Sequence, residues 1–173
     1  MKAYIDASLL AILKEKFPSA EYDSEATQPA VYVPAAEIVA VLSFLRDDER
    51  FAFARLENLT AVDYKTYFEM VYHLFNWNTG TWITVKVKLD HEQPTVPSVT
   101  SVFPGVEFEE REVFDLMGIG FTGHPDLRRI LMADDFEGHP LRKDYKQIMP
   151  PHVPRIRKEG RSSWVQPERS LSI

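Results

Sequence analysis

The stretches 67–75 and 81–89 restrict this chain's fold more than anything else in it. In the second, Ile83, Val85, Val87 and Leu89 fall on one face, and Trp82, Thr84, Lys86 and Lys88 on the other. A period of two marks a strand with a core on one side, so the spacing predicts a sheet covered on one face. Tyr67–Phe75 is apolar on both faces, which predicts an inner strand. Asn76, Asn78 and Gly80 between them carry turn chemistry, so the pair reads as a hairpin.

Helical spacing frames that hairpin. Asp6 can cap a helix whose Leu9, Leu10, Ile12, Leu13 and Phe17 share a face, closed by Pro18. Ala30–Val33 reads as a short strand. Pro34 suits the first turn of a second helix through Ile38, Val41, Leu42 and Leu45. Phe51–Leu56 reads as a further strand. Residues 1–79 hold no glycine and three prolines, whereas residues 90–173 hold six and nine. Regular structure should therefore dominate the first half, and extended chain the second. Pro94, Pro97 and Pro104 lead the chain out of the sheet, Glu107–Met117 forms a third helix, and Gly118 stands where a C-cap belongs.

The expected architecture is α+β: a two-layer α/β sandwich with a mixed sheet, roughly αββαβββ. A helix and an extended C-terminal arm follow it. The divisions fall at 1–93 for the sandwich, 94–145 for a segment packed on it, and 146–173 for the arm, with Ile148, Ile156 and Trp164 as its anchors.

Charge divides differently. The net charge is −6, but residues 1–127 hold 10 basic and 20 acidic side chains while residues 128–173 hold 10 and 6. That balance argues against nucleic acid, and an acidic body with a basic tail suggests that the two meet different surroundings. The competing reading folds the tail back on its own body. The chain has no cysteine, which excludes disulfides, thiolate nucleophiles and Cys-ligated zinc or iron–sulfur clusters. No apolar run approaches the ~18 residues of a membrane span, and the first residues have no signal-peptide layout.

The chemistry-bearing residues concentrate at 110–144. Glu110-Arg111-Glu112 and Asp115 are followed by Gly123-His124-Pro125, Arg128-Arg129, Gly138-His139-Pro140 and Arg142-Lys143-Asp144. Arg111 and Asp115 stand four apart and can pair along a helix face. The bland reading is an exposed charge run worth a few tenths of a kcal/mol per pair. Against it, Glu109–Glu112 cover a whole helical turn, so at least one should face protein and be hydrogen-bonded. Arg128, Arg129, Arg142 and Lys143 are the available partners, and arginine's fork suits bidentate pairing with carboxylates between segments. An anion or lipid-headgroup patch is the alternative. His124 and His139 each sit between Gly and Pro, outside any HxxH, HxH or HExxH spacing, and read as structural imidazoles in turns. His73 reads as a sheet residue. No GxGxxG, GxxxxGK[ST] or GxSxG motif occurs. No residue stands out as catalytic, cofactor-binding or metal-ligating; the segment reads as one shaped for interaction. A free-standing metal enzyme using His124 and His139 is the distant alternative.

Glu110-Arg111-Glu112, Asp115-Leu116-Met117, His124 and Arg128-Arg129-Ile130-Leu131 together resemble a family signature. It is that of the small hydrophilic, 30-kilodalton-type subunit (C type) of respiratory complex I, the proton-translocating NADH:quinone oxidoreductase. Gly138-His139-Pro140-Leu141-Arg142-Lys143-Asp144-Tyr145 resembles a second block of that family, and Pro97-Ser98-Val99-Thr100 its lead-in. Val106-Glu107-Phe108 departs from it where members usually carry Trp, and Lys146 stands where many carry Pro. The resemblance implies a peripheral-arm subunit with no cofactor of its own, FMN, iron–sulfur clusters and quinone being held by partner subunits. Those partners would be the large quinone-site subunit (D type) and the iron–sulfur subunits (B and I types). The place implied is the cytoplasmic face of the bacterial membrane. The residues implied to dock or brace are Glu110, Arg111, Glu112, Asp115, His124, Arg128, Arg129, His139, Arg142, Lys143 and Asp144. Homologous subunits of membrane-bound [NiFe] hydrogenases and of quinone oxidoreductases with other donors are similar in the same way.

Overall fold

A computed structural model describes residues 3–23 and 29–146. The arm anchors Ile148, Ile156 and Trp164 lie outside the described residues. The elements run β1 (Ala3–Tyr4), α1 (Ala7–Lys16), β2 (Glu21–Asp23), β3 (Ala30–Tyr32), α2 (Ile38–Asp47), β4 (Arg55–Asp63), β5 (Tyr67–Asn76), β6 (Thr81–Asp90), β7 (Thr95–Pro97), α3 (Glu107–Met117) and β8 (Gly120–Thr122). From α1 to β6 this is the αββαβββ order expected. The six-stranded sheet is mixed: β2-β3-β6-β5-β4 in order, with β1 beside β6. β1 and β3 run parallel to β6, and the other neighbours are antiparallel.

The hairpin is the sheet's centre. β5 and β6 pair without a break from Tyr67↔Asp90 to Asn76↔Thr81. Phe68, Met70, Tyr72 and Leu74 of β5 face the same side as Ile83, Val85, Val87 and Leu89, and all eight are buried. Leu13 of α1 and Ile38, Val41, Leu42 and Leu45 of α2 join them in one hydrophobic cluster. On the other side Lys88 is exposed and Lys86 half-buried, with Lys86 Nζ 2.8 Å from the Glu69 carboxylate. Thr84 departs from the alternation, being buried with its hydroxyl 3.1 Å from His73 Nδ1. It lies between two neighbouring strands, which shade a small side chain from water.

The start of α1 follows its sequence signal: the amides of Ser8 and Leu9 donate to Asp6 Oδ1 at 3.0 and 2.9 Å. The expected strand Phe51–Leu56 is a correction. Residues 51–54 wrap the end of α2, with the Phe53 amide donating to Leu45 O and Ala52 at φ 47°. Both phenylalanines are buried, but by a turn that folds them under the helix, and Asn76 Nδ2 fixes the turn through Phe51 O at 2.7 Å. The strand begins at Arg55 and runs to Asp63, with an irregularity between Leu56 and Asn58 that interrupts its alternation. A second correction concerns the chain after the sheet: β7 and β8 pair in parallel, Thr95↔Gly120 to Pro97↔Thr122. That small ribbon brings the two ends of the α3 segment together.

Candidate functional site

Helix α3 is short, acidic at its start and built almost entirely of groups that reach other segments. Glu107, Glu109 and Glu110 occupy its first turn, where carboxylates suit the helix dipole. Gly118 ends it in the left-handed conformation, φ 73°, with its amide on Phe114 O. Inside those limits Glu110, Arg111 and Asp115 are buried.

Four of its charged side chains hold the backbone of other segments. Glu109 accepts the Leu59 amide of β4. Glu110, fully buried, accepts the Val99 amide and the Ser98 hydroxyl, both at 2.7 Å. Arg111 donates to the carbonyls of Arg128 and Arg129 at 3.2 and 3.3 Å. Asp115, also fully buried, accepts the amides of Ile130, Leu131 and Met132 on Oδ2 (2.7–3.0 Å) and the Arg129 guanidinium on Oδ1 (2.8 Å). Arg111 therefore holds carbonyls, and Asp115 holds amides, of one irregular segment. The helix-face pair between Arg111 and Asp115 does not form, because both side chains are committed to residues 128–132. Glu112 is exposed.

The two Gly-His-Pro copies serve the two ends of α3. The Asp126 amide donates to His124 Nδ1 at 3.0 Å, so the proton sits on Nε2, which donates to Glu107 O at 3.2 Å. His139 Nδ1 donates to Asp115 O at 2.9 Å, and the Leu141 amide donates to Leu116 O. Those carbonyls belong to the last turn, which a helix cannot satisfy itself. The His139 ring lies against Gly118, where an added Cβ would come within 2.6 Å of Cδ2.

Lys143 and Arg142 dock elsewhere. The Lys143 amide donates to Asp63 Oδ2 at 2.8 Å, and Arg142 Nη2 approaches His91 Nδ1 at 3.3 Å. His91 stacks on Phe68 with rings 4.7 Å apart, and its Nε2 lies 3.3 Å from Asp63 Oδ1 without hydrogen-bond alignment. The Arg142 fork closes on Asp144 two residues away (3.0 and 3.1 Å), so its carboxylate partner is local. Arg128 likewise closes on Asp126 at 2.8 Å. Both differ from the pairing between segments that the arginines suggest; the segment turns back on itself at each point. The sequence reading missed Asp63 and His91. Asp63 is the last residue of β4 and His91 follows the end of β6, and no motif marks either.

Burial and bonding set the electrostatics. Burial pushes the Asp115 carboxyl up, but the amides of 130–132 and Arg129 more than offset it and hold it below the usual range. Asp63 behaves in the same way, with the Lys143 and Lys65 amides outweighing burial. Glu110 is the opposite case: burial raises its carboxyl despite the Ser98, Val99 and His124 contributions. The Tyr72 hydroxyl is raised by burial and then by Glu110. Among the described residues, no three His, Asp or Glu side chains converge as metal ligands would, and no helix is long and apolar enough to cross a membrane.

A helix that spends its buried charges on backbone defines a structural module, one that fixes the shape of the chain beyond it. The family model for the respiratory-chain NADH dehydrogenase 30 Kd subunit matches residues 31–150, which include all of these groups. The C-type subunit of the NADH-quinone oxidoreductase of Moorella thermoacetica is 48% identical over 136 residues, covering 78% of this chain and 90% of that protein. Its counterpart in Roseiflexus sp. strain RS-1 is 47% identical over 147 residues, covering 80% and 83%. Among solved structures, a chain of the membrane-bound sulfane sulfur reductase, an archaeal respiratory membrane complex, is 30% identical with a TM-score of 0.69 over 82% of this chain and 85% of its own. A trypsin-resistant fragment of Nqo5 is 29% identical with a TM-score of 0.56, over 69% and 98%. The chain belongs to the 30 Kd subunit family of respiratory-chain NADH dehydrogenase, and within it to the C-type subunits of NADH-quinone oxidoreductase. It is one part of a multi-subunit oxidoreductase.

Proposed function

We propose that this protein acts as a brace and dock and holds no cofactor itself. It keeps the large quinone-site subunit (D type) and the neighbouring iron–sulfur subunits (B and I types) in register for electron transfer from NADH to quinone. The assembly would lie on the cytoplasmic face of the bacterial membrane. The observation that carries this reading is the use of Arg111 and Asp115. Their charges fix residues 128–132, and that bracing presents Ile130 and Leu131, 38% and 55% exposed, on a rigid support. Leu141, 58% exposed, is presented in the same way by its bond to the end of α3. Exposed apolar groups on a fixed frame are what a permanent contact between subunits requires. Glu110, Glu112, His124, Arg128, Arg129, His139, Arg142, Lys143 and Asp144 shape or rim that surface.

Co-purification tests the reading. The tagged chain should bring down a large quinone-site subunit from native membranes; persistent failure to do so sinks it. The likeness to a sulfane sulfur reductase chain favours one second reading, a homologous subunit of a hydrogenase-type or other-donor complex. The co-purified partners decide between the two, since an NADH-oxidising module belongs only to the first.

A further inference from the structure

The free edge of β4 runs beside α3. In an antiparallel ladder, amides point alternately toward and away from the partner strand. The Leu59 amide points away from β5, because it donates to Glu109. By that alternation the Ala61 amide also faces outward. Exposed edges of this kind are normally blunted by charge or covered. Glu109 blunts β4 at Leu59 alone. Beyond it the edge opens into a groove of about 270 Å³, lined by Ala61, Val62, Leu116, Met117 and Leu141, with Lys143 at its far end. Val62 and Leu141 are 37% and 58% exposed. From Leu59 to Asp63 the edge offers roughly 13 Å of strand.

The rim has a sign. At the Leu59 end it is acidic: the exposed Glu112 lines the groove, and Glu109, which holds the Leu59 amide, stands one helical turn before it. A basic side chain arriving there would meet both, and the chain is one part of a multi-subunit oxidoreductase whose neighbours can supply it.

Resting on the function proposed above, we propose that the groove takes an extended basic segment of a neighbouring subunit, added as a strand to the β4 edge. Apolar side chains of that segment would pack on Val62, Leu116 and Leu141, and its Lys or Arg would meet Glu109 and Glu112.

Ala61→Pro tests it in the intact complex. Proline is tolerated where an edge amide faces away from the sheet, but it removes the donor an added strand needs. The variant chain should melt within a few degrees of wild type yet lower recovery of the assembled complex at least tenfold. Glu112→Lys, at an exposed position that folding does not need, should lower it severalfold. A photo-cross-linker at position 62 in the purified wild-type complex should capture a Lys- or Arg-bearing segment of another subunit. Capture of residues 147–173 of the same chain, or of a second copy, overturns the proposal. So does normal assembly of both variants without any cross-link. If the wild-type chain itself never co-purifies with a quinone-site subunit, the broader reading fails; if it does and the variants do too, only the groove falls.

Discussion

Residues 67–90 and residues 124–145 are held by opposite means. The hairpin is held by a ten-pair ladder and by side chains buried for their apolar area. The later segment forms no strand among its described residues and takes its shape from Arg111, Asp115, His124, His139 and the last carbonyls of α3. In the first region the stabilisation is spread over many contacts, each replaceable by another apolar group of similar volume. In the second it is concentrated in a few polar groups, each of which strands one to three backbone groups when removed.

Asp115→Ala should break this comparison most sharply. It leaves three amides and the Arg129 guanidinium without their acceptor in a buried site, a loss of about 3–5 kcal/mol. Chemical denaturation measures the total, and hydrogen exchange locates it. Amides at 130–132 should lose protection at once, while those of the hairpin hold until global unfolding. Uniform loss across both regions would show that they are one cooperative unit.

Leu42→Ala is the counterpart in the sheet region. It removes a fully buried side chain from the central cluster and should cost roughly 2–5 kcal/mol. Here protection should fall in α2 and the hairpin together. Gly118→Ala comes next. The residue needs φ 73°, and its Cβ would meet the His139 ring, so a cost of about 1–3 kcal/mol is expected. His139→Ala combined with it should recover the part due to the clash and not the part due to φ. A thermal-melt cycle over the two single and one double variant separates them.

Arg142→Ala tests function more than folding. Its fork rests on Asp144, and its Nη2 touches His91. Recovery of the complex should drop severalfold while the melting temperature of the isolated chain moves by only a few degrees. Equal losses in both would remove Arg142 from the docking surface.

The same contrast explains what the sequence could disclose. Alternation at 81–89 gave the hairpin and its buried face, because period two is a local pattern that the sheet reads directly. Phe51 and Phe53 alternate too, yet they close a helix, since the left-handed Ala52 between them is set by the tertiary packing around α2. β4 buries Leu56 and Leu59 in the core, but the irregularity between Leu56 and Asn58 and the polar Glu57, Asn58 and Thr60 break its alternation, and its signal was lost. At the site, inward charges were legible from their number: a full turn of them cannot all face water. The Arg129 fork on Asp115 was legible as a charge partner; the backbone partners of Arg111, Asp115 and His139 were not, because a backbone donor or acceptor leaves no mark in a sequence. Asp63 and His91 meet residues 142–143 only through the fold.

The smallest effect separates the two buried carboxylates by pH. Asp115 has a folded value below its unfolded one, so the unfolded chain binds protons first on acidification. Its contribution is present at neutral pH and fades as pH falls below the ordinary carboxylate range. Glu110 has a folded value above its unfolded one, and the folded chain holds that proton longer. Stability from this group is greatest in acid and declines as pH rises from the ordinary range through the raised value. Glu110→Gln keeps an acceptor for the Val99 amide and removes the titration. Relative to wild type, it should gain stability as pH rises from the ordinary carboxylate range to neutrality, read as a converging or crossing pair of urea-denaturation curves against pH. Parallel curves would mean that the carboxyl titrates alike in the folded and unfolded chain, the Ser98, Val99 and His124 contributions just offsetting its burial.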